Sequence, residues 1–347
     1  MKKFAKEQSF VVKGVAIMLL LFYHLFHEKE VLAEQQVNYA PLSENIFLQL
    51  AGFGNICVAV FVFLTAYGIS LDVLRVDEFS IKDIYIKSAG RFFRLMLNFF
   101  LVYVTINLLC VGYMNYGSFY GSGKQGLLQL FCDSIGFSAI LGTPMLNGTW
   151  WYMKIAYVLI FLVPLLAMVV KKTGKTALLL GFFLPFVIQM DFEVERYFFV
   201  AVLGVVAASE NWVEKLMNLK IHPVVWWLVA VLGGALSCLI RQNAVVKEYY
   251  CNYVDAIVAL FIVCSTVMTL GRVPIVNSIL KFLGKHSMNI FLAHTFFYLI
   301  VWRKYVYYFK YAIVTFIILL GCSLAYSVIL EFAKEGGKKF LKIFKKR

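Results

Sequence analysis

Roughly ten long blocks of apolar residues, most of them near the 20 residues a helix needs to cross a bilayer, constrain this chain more than any other feature. Transmembrane barrels are written instead as short segments of alternating hydrophobicity, so these blocks predict helices. The chain is 62% hydrophobic and 15% charged. A soluble domain carries about 25% charged residues and could not bury so much apolar surface in water. The expected fold is therefore all-α, a polytopic membrane protein of about ten helices in one bundle. A net charge of +14 raises the question of nucleic acid. The basic residues are scattered between apolar blocks, however, and form no basic domain, which excludes that partner. The seven cysteines lie singly with no CxxC spacing, as small packing residues do.

The blocks predict helices over 10–27, 46–70, 92–114, 149–170, 175–190, 196–209, 223–240, 252–270, 287–303 and 311–331. The glycine-broken stretch Gln125–Leu141 reads as interfacial or re-entrant. Lysines and arginines in alternate loops set the orientation. The N-terminus, the 71–91 loop, the Lys171-Lys172-Lys175 turn and Arg272, Lys281 and Lys285 fall on one side with the C-terminal cluster Lys338, Lys339, Lys342, Lys345, Lys346 and Arg347. Acidic loops (Glu28, Glu30, Glu34, Glu44; Asp191, Glu193, Glu195) fall on the other. Both termini are expected in the cytoplasm, with membrane domain 1–333 followed by a basic tail, 334–347, held at anionic lipid. Lys13, His24 and the charged Glu28-Lys29-Glu30 argue against a cleaved signal before Val31-Leu32-Ala33, so the first helix is read as retained. The outer loop with Arg303, Lys304 and Lys310 is basic against the rule.

Ionisable groups in a bilayer are costly, and their presence there points to function. Lys13 and His24 are eleven residues apart, on one face of a helix to within about 20° and separated by about 16 Å along its axis. One reading is a functional stripe; the other has Lys13 reaching to headgroups and His24 bonded to a neighbouring helix. Arg91 and Arg94 share a face and suit bidentate phosphate binding, although juxtamembrane arginines also serve as anchors. His294 lies mid-helix and is open to either a packing or a chemical role. Trp150-Trp151-Tyr152 fits an aromatic belt, or sugar stacking if the site is near. Gly121-Ser122-Gly123-Lys124 lacks the residues of a phosphate loop, and no histidine–carboxylate cluster has metal spacing.

In order along the chain, these residues resemble the integral membrane acyltransferase-3 family, which acylates cell-surface glycans and other extracytoplasmic acceptors. The basic residue, ten-residue gap and histidine of its first helix match Lys13 and His24. Its Phe-Phe-x-Leu-Ser-Gly-Tyr-like stretch resembles Phe61-Val62-Phe63-Leu64-Thr65-Ala66-Tyr67-Gly68. Arg-x-x-Arg matches Arg91-Phe92-Phe93-Arg94, and a tryptophan–aromatic motif matches Trp150-Trp151-Tyr152. The last motif matches Leu283-Gly284, Ser287, Ile290, Leu292 and His294. Two departures stand out. Lys13 replaces the usual arginine, keeping charge but losing the bidentate fork, and Thr65-Ala66 replaces Ser-Gly.

The resemblance implies a bacterial plasma-membrane O-acyltransferase that takes an acyl group, acetyl being the family's guide, from cytoplasmic acyl-CoA to a glycan hydroxyl outside. Lys13, Arg91 and Arg94 would hold the donor's phosphates. His24 would be base or acyl carrier and His294 a second catalytic group. Trp150, Trp151 and Tyr152 would bind the acceptor. No metal is implied, and the partners expected are membrane lipid, the glycan and a separate extracytoplasmic transferase. The alternative is a flippase or transporter of glycan or lipid-linked oligosaccharide, which needs a polar path and broken helices in matching halves. No such repeat is visible, and the longest outer loop is modest for a polysaccharide polymerase.

Overall fold

The computed structural model describes residues 3–27, 32, 34–76, 78 and 80–344. Its longer helices begin with α1 (Lys6–His27), α2 (Glu44–Phe53), α3 (Cys57–Leu74), α4 (Ile81–Leu109), α5 (Gly123–Ser134) and α6 (Tyr152–Thr173). They continue with α7 (Ala177–Val187), α8 (Phe192–Ser209), α9 (Pro223–Gln242), α10 (Cys251–Met268), α11 (Pro274–Phe296) and α12 (Ala312–Phe344). Among the described residues there is no strand, only one isolated bridge between Asn38 and Tyr311. Seven segments are long and apolar enough to cross a membrane. A further two, α8 and α11, have 18 and 23 residues but carry charged residues near their starts. The chain is an all-α polytopic membrane protein.

Every expected helix has a counterpart, but several boundaries move. The third begins at Ile81, not near residue 92, so Arg91 and Arg94 sit in its third and fourth turns and not at its start. The ninth begins at Pro274 rather than 287, which places Lys281 and Lys285 on the helix instead of in a loop. Both extensions alternate basic with apolar residues, and a window tuned to continuous apolarity passes over such amphipathic turns. Proline suits the opening turn of α11, where no intrahelical N–H bond is lost. The 175–190 block becomes the 11-residue α7, joined to α6 through a tight turn at Gly174–Thr176. The Gln125–Leu141 stretch forms α5 and a single turn at Ser138–Leu141, neither of them a span.

Helices α1, α3, α6, α8, α10 and α11 form the centre. Gly204 of α8 lies so close to α3 that a Cβ there would stand 2.8 Å from the Phe63 carbonyl oxygen. In contrast α9 turns Leu228, Val231, Leu232 and Leu239 outward, as a lipid-facing helix does. A polar seam fastens α12 to α11. His286 Nδ1 lies 2.8 Å from Ser327 Oγ, and Asn289 Nδ2 donates to Glu331 Oε1 at 2.8 Å. Lys334, at the start of the expected tail, donates to Glu331 at 2.7 Å, and α12 continues unbroken past it. Lys345, Lys346 and Arg347 lie outside the described residues, as do the side chains of Lys338 and Lys342. The same holds for Lys2, Glu28, Lys29, Glu30, Val31 and Ala33.

The anomalous basic loop finds its reason in packing. Arg303 pairs with Glu34 at 2.5 Å and Lys310 donates to Gln36 at 2.9 Å. The two segments that follow α1 and precede α12 are thus tied together by charge and by the Asn38–Tyr311 bridge. In the connection after α4, buried Asp133 accepts from Tyr120 Oη at 2.5 Å and from the Leu146 amide at 2.8 Å. Burial pushes its carboxyl above the ordinary aspartate range, against these hydrogen bonds.

Candidate active site

Two glycines assemble the site. A Cβ on Gly14 would lie 2.1 Å from the Leu280 carbonyl oxygen, and one on Gly284 would lie 1.8 Å from that of Phe10. Only glycine lets α1 and α11 approach this closely, backbone against backbone. Farther along both helices, the rings of His24 and His294 meet with centroids 5.0 Å apart. Contacts that advance together on both helices mean that α1 and α11 run parallel. The ten residues from Gly14 to His24 therefore match the ten from Gly284 to His294, and two motifs distant in sequence become one structure.

Beside this pair lies a cavity of about 270 Å³. Lys13 and Leu20 line it from α1, Thr65 from α3, Arg91 from α4, Tyr152 from α6, and Ser287 and Phe291 from α11. The lining is mostly apolar, with the two cations at its polar part. Lys13 leans over the Phe10 ring at 5.9 Å and has no carboxylate partner among the described residues. Arg91 is paired with Asp72 of α3. That pair uses only part of a guanidinium with five donors. The lining ends on Leu20 and Phe291, one turn short of His24 and His294 on their respective helices. The histidine pair thus stands just beyond the far end of the cavity from Lys13.

Buried His294 has its Nδ1 2.7 Å from the Phe291 carbonyl oxygen. A carbonyl only accepts, so Nδ1 carries the proton, and in the neutral ring Nε2 is the bare lone pair. That Nε2 is buried with no hydrogen-bond partner. His24 is half-buried and touches both Tyr23 and His294.

The aromatic triplet divides. Trp150 is buried, and its indole N–H donates to the Leu292 carbonyl at 2.9 Å, fixing α11 two residues before His294. Trp151 stacks on Tyr197, with centroids 6.2 Å apart and planes at 16°. Tyr152 alone reaches the cavity, edge-on to Phe291 at 5.5 Å. Asn147 of the Asn-Gly-Thr sequence is buried and donates to Thr295 at 2.5 Å, so its amide already serves the fold. Arg94 is exposed and outside the cavity lining. The second-helix motif also divides: Phe61 and Thr65 face the cavity, while Tyr67 Oη donates to buried Glu214 at 2.7 Å.

A family profile described as an acyltransferase domain matches residues 11–332, nearly the whole chain. The chain belongs to the acyltransferase-3 family. Comparison with curated proteins and with solved structures gives no match. This acyltransferase transfers groups other than amino-acyl groups, and its match opens just before Lys13 and closes just after Glu331, enclosing the site. Membership decides against transport as the main activity. Among the described residues no group of three or more histidine, cysteine or acidic side chains is placed to hold a metal ion. Asp72 escaped the reading of the sequence. Its signal was present, because it is an acid at the end of an apolar helix, yet nothing local announces that its partner lies on α4.

Proposed function

We propose that this acyltransferase moves an acyl group, acetyl by family precedent, from cytoplasmic acyl-coenzyme A to a hydroxyl of an extracytoplasmic glycan. The carrying observation is Lys13, a cation with no carboxylate partner among the described residues, facing a cavity that leads along α1 toward a histidine pair. A cation held in an apolar cavity calls for an anion, and the donor's phosphates supply one. Arg91 joins it from α4, and Arg94, exposed one turn on, would act only at the edge of the bound donor. The pantetheine arm then lies along the apolar lining, with its thioester toward His24 at the end of the roughly 16 Å that separates Lys13 from His24.

His24 takes the proton of the acceptor hydroxyl as its oxygen attacks the thioester carbonyl. The carbon–sulfur bond breaks, and coenzyme A leaves as a thiolate that is protonated to the thiol. In the two-step version His24 carries the acyl group first and the hydroxyl then displaces it. The bare Nε2 of His294, beside His24, is placed to hold a proton in either version. Tyr152 offers a ring to the bound substrate, while Trp150 and Trp151 support the walls.

The test is transfer of label from acetyl-coenzyme A to membrane glycan, in vesicles from cells making the protein or its His24→Ala variant. Removing a general base costs about 100-fold or more, so transfer should fall by that factor with insertion unchanged. Transfer that persists in the variant rules out the role given to His24.

A further inference from the structure

A second and larger cavity, of about 580 Å³, is lined on α1 by Tyr23 and His27, which flank His24 in sequence. The two share no lining residue. On α1 the lining passes from the first cavity at Leu20 to the second at Tyr23 and His27; from α3 back to the turn before it, it passes from Val58 to Asn55. Each change takes three residues, about 4.5 Å of helix. His24 directly follows Tyr23 on α1, and its ring meets Tyr23, which in turn stacks on His27 at 4.5 Å.

The second cavity is polar where the first is apolar. Arg241 reaches across it to buried Asp255, with Nε–Oδ1 at 2.6 Å and Nη2–Oδ2 at 3.3 Å, and also donates to the Phe53 carbonyl at 3.1 Å. Arg241 and Asp255 therefore satisfy each other. Arg196 shares Asp255 only as a longer ion pair, Nη2–Oδ2 at 3.8 Å, and its buried Nε has no hydrogen-bond partner. Lys247 adds a third cation at the exposed rim. Against three cations the lining offers one carboxylate, already engaged. A buried donor on a charged group left without an acceptor is costly, and a ligand anion would supply that acceptor.

We propose that this cavity seats the acceptor and that Arg196, with Lys247, selects acceptors bearing a carboxylate or phosphate near the hydroxyl to be acylated. Arg241 and Asp255 are positioning residues that hold the wall on which Arg196 acts. The proposal rests on the acyl-transfer reading, since it needs the donor on the far side of His24. It explains why the donor and acceptor sites differ in character: a long apolar passage for an acyl thioester, a wide polar bowl for a sugar.

Binding can be read without turnover. Saturation-transfer difference spectra of glucose, glucuronic acid and glucose 6-phosphate are recorded with the full-length protein in nanodiscs, as wild type, Arg196→Gln and Lys247→Gln. One or both anionic sugars should exceed glucose by roughly ten-fold, the worth of a hydrogen bond to a charged group. That excess should vanish in Arg196→Gln and shrink in Lys247→Gln; the stronger anion tells carboxylate from phosphate. Equal signals from all three sugars overturn the proposal, as does an excess unchanged in both variants. Coenzyme A binding, measured on the same preparations and on Lys13→Met, reports the donor side alone, so a failure there is distinct from a failure here.

Discussion

Lys13, Arg91 and Arg94 look equivalent as sequence, three cations near one end of the bundle, but the structure gives each a different neighbourhood. Among the described residues Lys13 has no carboxylate partner, Arg91 has Asp72, and Arg94 is exposed outside the lining. Their contributions to donor binding should therefore rank. Arg91→Gln removes a charged donor from the cavity and should raise KM for acyl-coenzyme A by roughly ten-fold, the worth of a hydrogen bond to a charged group. Arg94→Gln should change it by less than about three-fold, as a rim charge screened by salt would. Initial rates against donor concentration check this; equal effects in the two variants would place Arg94 in the site. The residue scale also shows what sequence leaves hidden. Lys13, His24 and His294 were legible because a charged or titratable side chain inside an apolar block stands out wherever it falls. Arg196, Arg241 and Asp255 were not, because the acid lies 59 and 14 residues from its basic neighbours and each, alone, resembles an interfacial anchor.

Between elements, the decisive contact is between α1 and α11. Glycines inside apolar helices are ordinary in membranes, and spacing alone gave no reason to single out Gly14 or Gly284. The reason is a parallel approach that leaves no room for a Cβ. Gly284→Ala should thus force the helices apart, cost about 1–3 kcal/mol by overpacking, and separate His24 from His294. A lowered melting temperature in detergent together with lost transfer checks it; unchanged melting would mean the two helices are farther apart than described. Helix existence was legible throughout, since each follows from an apolar block. The starts of α4 and α11 were not, because their first turns place Lys82, Lys87, Lys281 and Lys285 among apolar residues. Pairing was hidden as well: nothing in the first motif says that the last, some 270 residues later, packs against it.

As a whole, the molecule is a bundle in which two cavities of different character approach the end of α1 that carries His24. The apolar one holds two basic residues, Lys13 and Arg91, at a distance from His24, and the polar one opens beside His27, Asn45 and Gln49. Under the proposed function, donor and acceptor enter from opposite faces of the membrane, and the acyl group crosses at His24. The membrane setting and the acyltransferase family follow from the apolar blocks and the ordered motifs, whereas sidedness rests on where the cavities open. The direct measurement uses sealed inside-out vesicles, with labelled acetyl-coenzyme A supplied only to the bath and an acidic sugar acceptor enclosed in the lumen. The account predicts labelled acceptor inside the sealed lumen, dependent on His24. Label that forms only when donor and acceptor share one compartment would contradict it.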